Sequence, residues 1–430
     1  MVVEVAYGHE MLAVNLPSSA QVTVIRKRPM PRLTNPLAAV SRALEDAIGS
    51  PSLRQLARGR RSACILVCDI TRPAPNGLFL RPIIECLLQA GVAREAITIL
   101  IATGLHRPNE GAELAEVIGD PWVLAKIRVA NHFARNDDDH VRLGATSRRA
   151  TPVALDRRFV QADLRIATGL VEPHFMAGYS GGRKVVVPGI ASAETIRRLH
   201  SAAFMEDPGA RQCNLRGNPL HEEQLEIVAM VGEVYALNTV IDEQRNLCLV
   251  NFGDLNHSHH AAVQFIRASC EVPIPRRFAT VVTSAAGHPL DKTYYQTVKA
   301  MVTPMDIVRP GGSLIVASAC SEGLGSDDFR ASQRRLIEMG PLSFLRSIAG
   351  KRLAEIDEWQ TEMQLKPMRL ARIALYTRGL PDHDRPLTGV TLIDSIDDAV
   401  RDSIERTGDP GVAIIPEGPY VVPFCSSSSG

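Results

Sequence analysis

The side chains best suited to proton transfer in this chain arrive by a repeated device. The pentapeptide IATGL occupies residues 101–105 and again 166–170, the first copy running into HRPN and the second into VEPHFMAGYSGGRK. Each apolar run therefore delivers a histidine, His106 or His174. Histidine titrates near neutrality, so it suits a group that must serve as base and as acid in turn. Upstream, CDITRP sets Asp69 and Arg72 just past another apolar run, a pair equally suited to a structural ion pair or to a site. The densest stretch, GLVEPHFMAGYSGGRKVVVPGIASAETIRRLHS, carries His174, Ser180, Gly181, Gly182, Lys184 and His200. Two glycines ahead of Arg183 and Lys184 leave backbone amides able to approach a phosphate. A P-loop is excluded, because that motif needs glycine directly before the lysine and Ser or Thr after it, and here Arg183 and Val185 stand there. SAETIRRLHSAAF reads as a helix capped by Ser192, with His200 turned inward on the face of Ile196, Leu199 and Ala203. YYQTVKA places Gln296 and Lys299 on one helical face.

Other polar clusters read as structural. His257, His259 and His260 in NHSHHAAVQFI read as a solvated turn where a helix begins, and NDDDHVRLG lacks EF-hand spacing. HEEQLE at His221 is not the HExxH of zinc proteases.

The elements that must position these residues are short, continuous, β-branched runs: Ala63–Val67, Ala96–Ala102, Leu164–Ala167, Ala279–Thr283 and Ser313–Ser318. Runs without alternation suit strands covered on both faces. Between them lie helical patterns such as NGLFLRPIIECLLQAGV, with Leu80, Ile83, Ile84 and Leu87 at helical spacing. Strand and helix in alternation imply an α/β protein with mainly parallel sheets flanked by helices. Ligands of such sheets bind beyond the carboxyl ends of strands, which makes Asp69, Arg72, His106 and His174 expected neighbours.

A chain of 430 residues implies two domains. We expect an N-terminal catalytic domain over 1–272, completed by 410–425, a C-terminal α/β domain over 278–409, and a flexible tail at 426–430. The active site would lie in the cleft between the domains. The formal charge of +1 gives no reason to expect nucleic acid or a membrane surface. No run approaches the roughly 20 apolar residues of a spanning helix, and MVVEVAYGHEML lacks the features of a signal peptide. A cytoplasmic location is expected. The eight cysteines show no CxxC pair and sit in apolar segments, as buried thiols do.

Six motifs in order, CDITRPAPN, ATGLHRPN, GLVEPHFMAGYSGGRK, IRRLHS, YQTVK and DEWQ, together with the terminal IPEGPYVVP, resemble the nickel-dependent lactate racemase family. That resemblance implies a nickel-pincer nucleotide (a pyridinium-3,5-bisthiocarboxylic acid mononucleotide) held covalently by Lys184 through a thioamide. His200 would be the protein ligand of nickel, whose other ligands are a pyridinium carbon and sulfurs of the cofactor. His106 and His174 match the acid/base pair. Arg72, Gln296 and Lys299 match residues that handle the substrate and its carboxylate, and Tyr295 and Trp359 match aromatic positions beside it. Asp69 matches a motif acid near the cofactor, and the loop Ser180–Gly182 is our candidate for the cofactor phosphate.

The implied reaction is inversion of C2 of a 2-hydroxy acid through hydride removal and return. The two enantiomers present their hydroxyls in mirror-related positions, so one base per hand is expected. The partners would be a small 2-hydroxy acid and the proteins that build the cofactor. AAGHPLDKTYYQ, with His288, departs from the lactate enzymes, so other short 2-hydroxy acids, dicarboxylic ones and sugar acids stay open as substrates. Two further readings compete. A nicotinamide dehydrogenase lacks its GxGxxG, and a nickel-handling protein without catalysis would have to use histidines outside these motifs.

Overall fold

The computed structural model describes residues 1–426, so residues 427–430 of the expected tail lie outside the described residues. Ser426 itself is held, its N–H donating to the Ile274 carbonyl at 2.8 Å. The chain divides into two compact units. One comprises Pro29–Leu199 and Asn214–Ala268; the other comprises Met1–Arg28, His200–Cys213 and Ser269–Gly430.

The first unit is built on a six-stranded sheet in the order Leu247–Asp254, Tyr235–Ile241, Leu164–Leu170, Ala63–Cys68, Ile97–Ala102, Arg128–Asn131. The first pair is antiparallel and every other pairing is parallel. The two IATGL copies thus belong to the two strands that flank Ala63–Cys68, with Ile65 paired to Ile99 on one side and Ile166 on the other. The carboxyl ends of these three adjacent strands point the same way, and the chain leaves them at Asp69, Thr103 and Val171. Helix Asn76–Gln89 buries Leu80, Ile83, Ile84 and Leu87 against the sheet, as its 3.6-residue pattern requires.

The second unit has its own six-stranded sheet, parallel throughout, in the order Thr391–Ile393, Arg372–Tyr376, Val308–Ala317, Phe278–Ser284, Gly411–Ile415, Gln21–Val24. Here the expected domain limits need correction. Gly411–Ile415 does not complete the N-terminal catalytic domain; it is buried at all five positions between Phe278–Ser284 and Gln21–Val24. A strand covered on both faces and at both edges needs a second neighbour, and the chain's own N-terminal segment supplies it. The hairpin Val2–Tyr7/Glu10–Asn15 precedes that strand and turns Val3, Val5, Tyr7 and Val14 into the core formed by Val282, Ile315 and Ile414. The chain thus passes between the units four times, after Arg28, Leu199, Cys213 and Ala268. No helix among the described residues is long and apolar enough to cross a membrane.

Candidate active site

In the first unit, the loops after the three central strands carry the nominated residues Asp69, Arg72, His106 and His174. Asp69 leaves the middle strand and is 5% exposed. Its Oδ1 accepts from the Thr71 hydroxyl at 2.6 Å and its Oδ2 lies 2.6 Å from His106 Nδ1. Burial works to raise this carboxyl, but the hydrogen bonds from His106 and Thr71 and the Arg72 charge prevail and hold it below its ordinary value. An ionised carboxylate accepts only, so His106 donates from Nδ1, and a neutral ring then keeps its lone pair on Nε2. His106 is well exposed, with 58% of its side chain open to solvent.

His174 is arranged the other way round. It is buried, in the two-strand hairpin Pro173–His174/Gly178–Tyr179, with its ring 5.1 Å from that of Phe175. The backbone N–H groups of Met176 and Ala177 donate to its Nδ1 at 3.4 and 3.2 Å. With Nδ1 accepting, a neutral ring carries its proton on Nε2. The hydrogen-bond partners thus assign opposite tautomers: Nε2 accepts in His106 and donates in His174.

Lys184 follows the glycine pair in the short helix Arg183–Val186. Burial pushes its ammonium down to about 7, and the charges of Arg72 and Arg183 act in the same direction. No hydrogen bond or ion pair to its Nζ occurs among the described residues. Such an amine has a substantial neutral, nucleophilic fraction at neutral pH. The turn ahead of it is shaped by packing. Gly181 and Gly182 have φ of +76° and +48°, and a Cβ at Gly182 would lie 2.8 Å from the His259 ring. Ser180 is committed inside the hairpin: its hydroxyl donates to the Leu170 carbonyl at 2.7 Å and accepts from the Glu172 N–H at 3.0 Å.

His259 corrects the sequence reading of a solvated turn. His257 is exposed and paired with Asp254, but His259 is buried, its Nε2 lying 2.9 Å from the Ser180 carbonyl oxygen and 3.1 Å from Arg183 Nη1. Burial and the Arg183 charge keep this imidazole neutral. Sequence reasoning missed it because it stands in a polar run with His257 and His260, which are exposed; the signal available was the regular apolar face of its helix. Glu172 was missed too, although it stands inside the quoted motif two residues before His174. It is ion-paired with Arg72.

The remaining nominated residues sit in the second unit. His200 does not continue the helix. It follows Ala193–Leu199, which ends before it, and a separate helix begins at Ala202, so the expected inward face with Ala203 does not form. Its ring lies 4.5 Å from that of Trp359. Trp359 Nε1 donates to the Tyr295 hydroxyl at 3.3 Å, and Gln360 Nε2 donates to the Tyr295 carbonyl at 2.5 Å. Helix Tyr294–Val302 starts at a Thr293 cap and carries Gln296 and Lys299 one turn apart, both half-buried. Gln296 Oε1 is buried and accepts no hydrogen bond among the described residues, an amide oxygen poised for a donor.

Comparison with known proteins decides the family. Residues 7–212 match the model of the lactate racemase N-terminal domain, and residues 276–422 match that of the lactate racemase C-terminal domain. The chain belongs to the lactate racemase family. A lactate racemase of Lactiplantibacillus plantarum is 30% identical over 388 residues, which are 89% of this chain and 90% of that one. A second, from Thermoanaerobacterium thermosaccharolyticum, is 32% identical over 329 residues, 76% of each chain. The lactate racemase apoprotein structure from the same organism superposes with a TM-score of 0.91 at 28% identity, covering 98% of this chain and 100% of that one. As a member of the lactate racemase family, this chain is an isomerase, and the α/β architecture with mainly parallel sheets is the family's own.

Proposed function

We propose that the chain interconverts the two hands of a short 2-hydroxy acid, lactate being the first candidate, with His106 and His174 exchanging the hydroxyl proton. The observation that carries this reading is that hydrogen bonds occupy both Nδ1 atoms, which leaves Nε2 of each ring for the substrate. Inversion needs one group to take the hydroxyl proton of the incoming enantiomer and another to return a proton to the product. The proton count closes when one ring starts neutral and the other as imidazolium. The neutral ring takes the hydroxyl proton on Nε2 and becomes imidazolium, the other gives its Nε2 proton to the product and becomes neutral, and after one turnover the roles are exchanged. Arg72 and Lys299 would hold the substrate carboxylate and Gln296 would bind the substrate beside it. Tyr295 and Trp359 would bound its side chain.

The residues present fit a nickel-pincer nucleotide. Lys184 offers a buried amine with a lowered pKa for covalent attachment, and His200 offers an imidazole set against Trp359. Among the described residues no group of three or more His, Cys, Asp or Glu is placed to hold a metal, so a metal at His200 takes its other ligands from the group that brings it. When bound, that group supplies the acceptor that removes hydride from C2 and returns it to either face. Asp69, by accepting from Nδ1, would leave Nε2 as the atom through which His106 takes and returns the proton.

The test is expression together with the cofactor-building proteins, followed by intact mass, nickel analysis and a screen of single-enantiomer lactate, dicarboxylic 2-hydroxy acids and sugar acids. We expect a mass increase located at Lys184, nickel in the protein and exchange of one substrate without added nicotinamide. Lys184→Ala should lose all three. An unmodified Lys184 with full racemisation would defeat the covalent assignment, and several exchangeable metal ions without turnover would favour a nickel-handling role.

A further inference from the structure

Arg72 has a built-in partner in the ion pair with Glu172, whose side chain is 18% exposed against 23% for Arg72. A pair at the surface contributes little, but this one is mostly withdrawn from water, where a charge-assisted contact both attracts and orients. Each end is rigidly mounted. Glu172 donates its N–H to the Ser180 hydroxyl at 3.0 Å and accepts from the Ser180 N–H at 2.9 Å, which fixes it at the base of the hairpin that carries His174. Arg72 closes a turn by donating its N–H to the Asp69 carbonyl at 3.1 Å, and the Asp69 carboxylate holds His106. The pair therefore bridges the two loops that present the two histidines, at the ends of paired strands Ala63–Cys68 and Leu164–Leu170.

We propose that Glu172 is a positioning residue: through Arg72 it fixes the loop of Asp69 and His106 relative to the hairpin of His174. This rests on the reading of both histidines as the acid/base pair. Both proton transfers need short, aligned approaches, and a displacement of about 1 Å can cost about a hundredfold in rate. Loss of the bridge should therefore slow turnover in both directions and change substrate affinity less.

The experiment compares wild type, Glu172→Gln and Glu172→Asp, each made with the cofactor-building proteins. Glu172→Gln should keep wild-type nickel content and the Lys184 mass increase while kcat falls about tenfold or more in both directions, with KM changed by less than about threefold. Glu172→Asp, which keeps the charge, should recover part of that loss. In the unloaded proteins, phenylglyoxal should modify Arg72 several times faster in Glu172→Gln than in wild type, as read by peptide mass. Unchanged kcat would overturn the proposal, as would a lower KM at unchanged kcat, which would make Glu172 a rival of the substrate for Arg72. Equal phenylglyoxal rates would overturn the holding of Arg72. A wild-type protein without a Lys184 adduct or enantiomer exchange would defeat the functional reading instead, while the phenylglyoxal comparison still judges the bridge.

Discussion

A histidine becomes a directed base only when something decides which nitrogen keeps the proton. Asp69 does this for His106 at 2.6 Å, and two backbone N–H groups do the reverse for His174. The sequence motif named Asp69 without a task, and the structure supplies a physical one. Replacing it tests the task. Asn can accept at one atom and donate at the other, so Asp69→Asn removes the charge that favours Nδ1–H and lets the ring turn its lone pair inward. General-base assistance accounts for about 10²–10⁴ in rate, so kcat should fall by at least about tenfold in both directions, His106 being base for one enantiomer and acid for the other. Nickel content and the Lys184 adduct should stay. Steady-state rates from each pure enantiomer are the measurement, and an unchanged rate in both directions would remove Asp69 from the mechanism.

Elements were legible where one physical cause dominated. Continuous β-branched runs named the central strands because burial on both faces leaves no polar positions, and the 3.6-residue pattern named helix Asn76–Gln89. What stayed hidden was set by partners distant in sequence. His259 looked solvated because His257 and His260 are exposed, and its burial depends on a glycine turn 77 positions earlier, at Gly182. Helix Glu358–Leu370 hides a similar case. Glu362 is 1% exposed, its Oε1 has no partner among the described residues, and burial, reinforced by Glu206, pushes its carboxyl up to about 8. The folded form keeps a proton that the unfolded chain releases above its ordinary pKa of about 4.3. Stability contributed by the neutral form is thus lost as pH rises from there through about 8 and levels off above. Glu362→Gln escapes this loss. Its stability relative to wild type should rise by at least about 1 kcal/mol between pH 5 and pH 8. Urea midpoints at the two pH values provide the check, and a pH-independent difference would mean that Glu362 is ionised in the folded protein.

At the scale of the whole chain, the two units are not two consecutive stretches of sequence. Composition and the proline-rich stretch near residue 273 suggested a single boundary, and one does fall there, with Ser269 opening the last segment of its unit. Hydropathy could not reveal that Met1–Arg28 joins that unit, because strand pairing depends on which edge is open in three dimensions. The consequence is a specific dependence on the N-terminus. Gln21–Val24 covers the edge of Gly411–Ile415, and Val3, Val5, Tyr7, Val14 and Leu16 lie in the same core. Burial of one such side chain contributes about 1.5–3 kcal/mol, and a domain's whole stability is about 5–15 kcal/mol. A chain beginning at Pro29 therefore loses an amount comparable to the whole margin of that unit, yet keeps every strand of the sheet that carries Asp69, His106, His174 and Lys184. Hydrogen exchange read by mass should show Gly411–Ile415 and Phe278–Ser284 unprotected in the truncated protein, while Leu164–Leu170 and Ala63–Cys68 remain protected. Simultaneous loss in both sheets would show that the units fold as one cooperative body, and protection retained in both would show that the N-terminal strand is dispensable. The first outcome alone agrees with an edge that the N-terminal segment completes.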